Sequence, residues 1–210
     1  ISLFKLYFVA IKMRRKDFIF ENIKEIENML NKIEFGVMAM PDKIPYAVPI
    51  SFCYKDNEIY FHGAMAGRKH EILKNNPEVS FTASKVYSYI PSSFLNNTMI
   101  PTQFFFSVFI EGKFEVVEDL SKKRKVLYEL VKKYEPENIN MSMDKGQFKG
   151  SEIRTFVGII KIKNMTAKAK FGQNMNDSDI AIIINDLKKR NTKIDIETID
   201  MINKLRDKNI

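Results

Sequence analysis

The chain has 210 residues, a length suited to one domain with a sizeable core, and its 45% hydrophobic content is ordinary for a globular protein. Lys plus Arg outnumber Asp plus Glu by 34 to 26; the +8 balance is spread in small clusters at 14–16, 122–125 and 188–190. That spread argues for solvated faces, and leaves nucleic acid or an anionic small molecule open as a partner, nucleic acid being the less favoured. Cys53 is the single cysteine, which excludes an internal disulfide and a cysteine metal cluster and points to a cytoplasmic protein.

Residues 1–11 are apolar but broken by Lys5, too short and interrupted for a membrane span. The cations Lys12, Arg14, Arg15 and Lys16 follow that run, the reverse of a signal peptide. Residues 1–12 are therefore expected to be an upstream extension outside the fold, with residues 13–210 as one domain. Apolar residues at 23, 26, 29, 30 and 33 predict a helix over 22–33. Strands are expected at 35–40, 46–54 and 59–62, the first two joined by the turn Pro41-Asp42-Lys43. Pro49 places the second strand at an edge or bulge. Further strands are expected at 79–84, 104–110 and, past a break at Gly112, 113–117, with another at 155–163. Residues 87–102 have no clean period and predict a long loop, either a disordered insertion or a segment that binds or covers something. Residues 135–150 form a second candidate lid. Helices are expected at 121–134, 177–189 and 197–206. Many short strands with few helices between them predict an α+β protein built on a small antiparallel barrel.

The most informative stretch is 59–77. A strand runs into the loop Gly63-Ala-Met-Ala-Gly67, and a short helix follows from Arg68 until Asn75-Asn76-Pro77 stops it. Arg68 and Lys69 stand in the first helical turn, where cations oppose the macrodipole unless an anion is bound. Solvated charges are the plainer reading. The glycines are spaced too closely for a Walker loop, and no Lys-Ser or Lys-Thr pair follows. His62 and His70 are the only histidines, and no metal-binding motif accompanies them, so no metal is expected. His62 lies at a strand end beside the glycine loop, either facing a cleft or serving the structure. Cys53 reads as a buried apolar residue.

Taken together, Tyr60-Phe61-His62-Gly63, Gly67-Arg68-Lys69 and Leu73-x-x-Asn76-Pro77 resemble the FMN-binding split barrel. The resemblance is closest to the nitroimidazole-resistance branch of the pyridoxamine 5′-phosphate oxidase-like proteins. Met13 to Asp17, Val48 to Phe52, Ser107-Val108, Glu111 to Lys113 and Val117 to Asp119 match in order, over about residues 13–135. Gly172-Gln173-Asn174 is similar to a loop of related barrels. The resemblance implies a six-stranded antiparallel split barrel, spanning about 13–163, with C-terminal helices at about 177–208. It implies a homodimer with two FMN molecules at the interface. It places the FMN phosphate on Arg68 and Lys69, the flavin along Val48, Pro49, Ile50 and Ser51, and His62, Gly63 and Ser107 beside the ring. The implied activity is FMN-dependent electron transfer to small aromatic or nitroaromatic molecules, with His62 as the candidate catalytic residue. The alternative is a non-catalytic carrier, sensor or regulator that holds FMN or haem. Phe104, Phe106 and Ile110 are candidates either for the dimer interface or for the monomer core.

Overall fold

The computed structural model describes residues 14–97, 99–138, 142 and 148–207; the expected extension at 1–12 and half of the second candidate lid lie outside them. The described strands are β1 (Ile19–Phe20), β2 (Phe35–Met40), β3 (Tyr46–Ser51), β4 (Cys53–Lys55), β5 (Glu58–Gly63), β6 (Glu78–Ile90), β7 (Thr102–Val116) and β8 (Phe156–Lys170). The helices are α1 (Ile23–Lys32), α2 (Arg68–Leu73), α3 (Leu120–Tyr134), α4 (Ser151–Arg154), α5 (Asp177–Arg190) and α6 (Lys193–Arg206). The hydrogen-bonded order is β3-β2-β6-β7-β8-β5-β4, with β1 paired to β8. The registered pairs are antiparallel. Two compact units share this order: one of residues 24–83 and 109–165, the other of 14–23, 84–108 and 166–207.

In the first unit, β2 alternates regularly. Met38 and Met40 face the core, while Phe35 and Val37 face out. β3 ends the strand order, so Pro49 faces a missing ladder partner on its outer side, as an edge proline should. β3 and β4 stand at opposite ends of that order yet are joined by Phe52 alone. The sheet must therefore curl to bring its two ends together. Eight strands replace the expected six because Phe52 divides one expected strand and β1 adds a two-residue pair. A two-residue turn with positive φ at Asp56 and Asn57 joins β4 to β5. Helix α3, capped by the Asp119 side chain, covers a cluster that includes Cys53, Tyr60, Val126, Leu130 and Val157. Burial pushes the Cys53 thiol up to about 12, in keeping with a packing role. From the same helix, Lys133 Nζ donates to the Leu30, Ile33 and Phe52 carbonyls at 3.2, 2.6 and 2.8 Å.

Two sequence expectations are corrected. Gly112 does not break β7: a Cβ there would come within 2.5 Å of the Lys161 carbonyl oxygen, so the glycine permits close approach of β8. Residues 87–90 are strand, and the connection spans only 91–101. Its turn at Phe94–Asn97 packs against α5, with Leu95 buried and Arg190 over the Phe94 ring. In the second unit, Phe104 and Phe106 are buried against Phe171 and Phe20. Ile110, in the first unit, is buried as well. The core reading thus holds for these three, and their side chains are not available to an interface.

Candidate functional site

The 59–77 stretch folds as its residues suggest. β5 ends at Gly63 in register with Phe156 of β8. The loop then reaches Gly67, whose φ of 99° favours glycine, and α2 begins without a side-chain cap. Asn76 ends the helix with φ 47°; its N–H donates to Leu73 O and its side-chain oxygen accepts from Val116 N. The His70 ring packs edge-on against Phe156, at 5.0 Å between centroids, and so seats α2 on the barrel. Its Nδ1 is buried without a hydrogen bond.

The two cations of the first turn take different directions. Arg68 binds Asp42 Oδ2 through Nε at 2.9 Å and Nη2 at 2.8 Å, and its guanidinium lies 4.3 Å from the Tyr46 ring centroid. The backbone N–H of Lys43, and then Arg68, hold the Asp42 carboxyl below the usual carboxylate range. Lys69 is half-buried, and its ammonium lies 5.7 Å from the Phe61 ring centroid. It sits beside Gly63, where an added Cβ would come within 3.2 Å of Nζ. Among the described residues Nζ has no hydrogen-bond or ion-pair partner, and burial lowers its pKa. His62 is exposed. Partial desolvation of its ring and the nearby Lys69 charge push its pKa below the ordinary imidazole value.

The structure therefore brings His62, Gly63 and Lys69 together, while Arg68 faces the β2–β3 turn. On β3, Val48 is partly buried, Pro49 is exposed, and Ser51 shares a hydrogen bond with Tyr134. Ile50 is buried, so a ligand on the open surface meets its backbone and not its side chain. Ser107 is half-buried on β7 in the second unit. Asp42 and Tyr46 were missed as site residues, because they lie 26 and 22 positions from Arg68 and only the folded turn brings them close. Concavities of 600, 480, 390 and 620 Å³ indent the described surface away from His62, Gly63, Arg68 and Lys69. His62 and Arg68 are exposed and Gly63 and Lys69 half-buried, so these residues form an open face. Among the described residues there is no group of three or more side chains suited to a metal ion, and no helix long and apolar enough to cross a membrane.

Comparison with known proteins places this geometry. A family model described as pyridoxamine 5′-phosphate oxidase matches residues 22–169. The curated Bacillus subtilis (strain 168) protein "Protease synthase and sporulation protein PAI 2" is 24% identical over 174 residues, covering 79% of this chain and 84% of the relative. Among solved structures, the flavocytochrome Anf3 of Azotobacter vinelandii aligns with TM-score 0.64 and 20% identity, covering 80% of this chain and 77% of that one. A candidate 5-nitroimidazole antibiotic resistance protein of Bacteroides thetaiotaomicron aligns with TM-score 0.58 and 23% identity, covering 71% and 85%. At these identities the structural likeness shows the fold, a split barrel with peripheral helices.

Proposed function

The chain belongs to the pyridoxamine 5′-phosphate oxidase family, and on that premise we propose a cytoplasmic flavoprotein that binds FMN and passes electrons to small aromatic or nitroaromatic molecules. The observation that carries this reading is Lys69. A half-buried ammonium with no described partner is unfavourable by itself, and an anion beside it reverses that cost. The first-turn amides of α2 and the open space at Gly67, where an added Cβ would touch nothing within 4 Å, suit a phosphate at the same place. Lys69 and these amides would hold the phosphate, with Arg68 joining only by exchange from Asp42. The β3 backbone from Val48 to Ser51, with Gly63, would border the flavin. Bound flavin supplies the hydride and electron chemistry. The chain's own part is to orient the ring, exclude water and present His62, neutral at pH 7, as a hydrogen-bonding and proton-exchanging group.

The first test is the absorption spectrum of protein purified without added cofactor. Flavin bands near about 370 and 450 nm are expected, since a protein only tunes its cofactor. A colourless protein that fails to take up FMN overturns the reading. A second reading, a carrier or sensor that holds flavin or haem without turnover, draws on the names of two similar proteins, one a flavocytochrome and one tied to sporulation. A Soret band, or bound flavin that a reduced nicotinamide and a nitroaromatic acceptor leave unturned, favours it.

A further inference from the structure

We infer that the second unit carries its own binding cleft for a small aromatic acid, built from Arg14, Arg15, Lys168 and Lys170 over Phe18 and Phe105. The cleft has a volume of 620 Å³, within the range of small-molecule sites. Its lining contains these four cations and neither Asp nor Glu. Three other concavities mix signs. One sets Lys55, Lys122 and Lys125 against Asp56, Asp119 and Glu129; the remaining two each set one lysine against two carboxylates. The imbalance is therefore local and does not simply follow from a net charge of +8. Among the described residues none of the four cations makes an ion pair.

Two of the cations are positioned by the sheet. Lys168 and Lys170 are two residues apart on β8, so both point to one face. Lys170 Nζ binds the Thr102 hydroxyl and lies 5.9 Å from the Phe18 ring centroid. Burial and the Arg15 charge lower the Lys170 pKa, the response expected of a partly buried cation near another. At the rim, Arg206 donates to the Gly172 and Met175 carbonyls at 3.0 and 2.8 Å and fixes the 172–175 loop. Like charges gathered in one cleft repel, and a bound anion offsets that repulsion. The aromatic walls add a flat apolar surface, which selects an acid with a planar body over a bare inorganic anion. Arg14, Arg15, Phe18 and the 172–175 loop lie outside the stretch matched by the family model, so the cleft is not a feature that the model carries.

The probe is 2-naphthoate, titrated by fluorescence against the full chain at low and high salt, with uncharged 2-naphthylmethanol and sulfate in parallel. Saturable naphthoate binding that weakens with salt is expected, at least 10-fold tighter than either control ligand. Arg14→Ala/Arg15→Ala, at two exposed positions, should lower naphthoate affinity at least 10-fold, and Lys168→Gln should give a separate loss. Lys122→Ala/Lys125→Ala should leave the affinity unchanged. Equal binding of the alcohol, an equal loss in the Lys122/Lys125 variant, or competitive displacement of naphthoate by FMN would each overturn a separate acid site. The cofactor reading above stands or falls on the spectrum and is unaffected by these outcomes.

Discussion

Lys69 and Arg68 are adjacent in sequence and unequal in setting, and that inequality yields a test. Lys69 has no described partner to give up, so Lys69→Ala should weaken FMN binding by about 1.5–3 kcal/mol, the worth of a charge-assisted bond to phosphate. Arg68 must first leave Asp42 and the Tyr46 ring, so Arg68→Ala should cost less. Asp42→Asn, which releases Arg68, should tighten FMN. Isothermal titration with FMN and with riboflavin separates the phosphate from the ring. Riboflavin affinities should barely change across the three variants, and equal losses for both ligands would remove the phosphate assignment. His62 follows from the same charge. Lys69 and desolvation hold its folded pKa below the unfolded value of about 6.5. A histidine depressed in this way binds fewer protons folded than unfolded. Its penalty on stability is absent above about pH 6.5, grows as pH falls through that value, and is complete below the folded pKa. A phosphate beside Lys69 would cancel part of the repulsion. The His62 imidazole, followed by proton NMR, should then titrate at higher pH with FMN than with riboflavin. Identical titrations in the two complexes would detach His62 from the phosphate site.

At the scale of elements, the joint between α6 and β6 is a dense polar lock in the second unit. Asp195, 0% exposed, accepts from Arg190 Nη2 at 2.5 Å and Nε at 2.9 Å, from the Ser88 hydroxyl at 2.5 Å, and from the Thr192 backbone and hydroxyl. These bonds hold its carboxyl far below the usual carboxylate range. Asp195→Ala strands the partners and should cost about 2–4 kcal/mol by chemical denaturation, somewhat less than a fully buried pair because Arg190 is partly solvated. A carboxyl with a depressed folded pKa contributes stability that is present above its unfolded value of about 3.9 and is lost as pH falls below it. The wild type should therefore lose its advantage over the variant in acid. An unchanged gap at pH 3 would show that the charge is not what locks the joint. The same elements show what was legible in the sequence. Local signals worked: the Asn75-Asn76-Pro77 stop, the edge proline of β3 and the apolar stripes of α1 and α3 all read correctly. Signals that depend on distant partners did not. The start of α6 was placed four residues late, although Thr192 and Asp195 form a reciprocal capping box. Residues 87–90 read as loop because no clean period runs through 87–102; in the fold Tyr87 and Ser88 are both buried, a break in strand alternation that follows from α6 covering Ser88. The candidate site was legible as a chain segment, Gly63 to Lys69. Its counter-charge at Asp42 was not, since nothing near Arg68 in sequence announces it.

For the whole molecule, the open face at His62, Gly63 and Lys69 needs a second surface before it can enclose a flavin, and a second copy of the chain is the proposed source. The interface cannot come from Phe104, Phe106 or Ile110, which are spent on the chain's own core. In the first unit the apolar groups left facing solvent include Phe35, Val37 and Phe109, exposed by 59%, 40% and 38%. Phe35 and Val37 are two residues apart on β2 and so share its outer face, opposite Gly36 and Met38. Exposed apolar side chains at this spacing are costly in a monomer and favourable when covered. We predict a dimer by light scattering at micromolar concentration, and a monomer for Phe35→Glu/Val37→Glu, since two carboxylates on each copy would have to be buried or opposed. Because the pocket is completed across the interface, the same variant should bind FMN at least 10-fold more weakly while its thermal unfolding stays cooperative, both positions being surface sites in the isolated chain. A wild-type monomer with FMN bound would show that one chain suffices. A variant that stays dimeric would place the interface on another face, and a monomeric variant with undiminished FMN affinity would separate dimerisation from the cofactor.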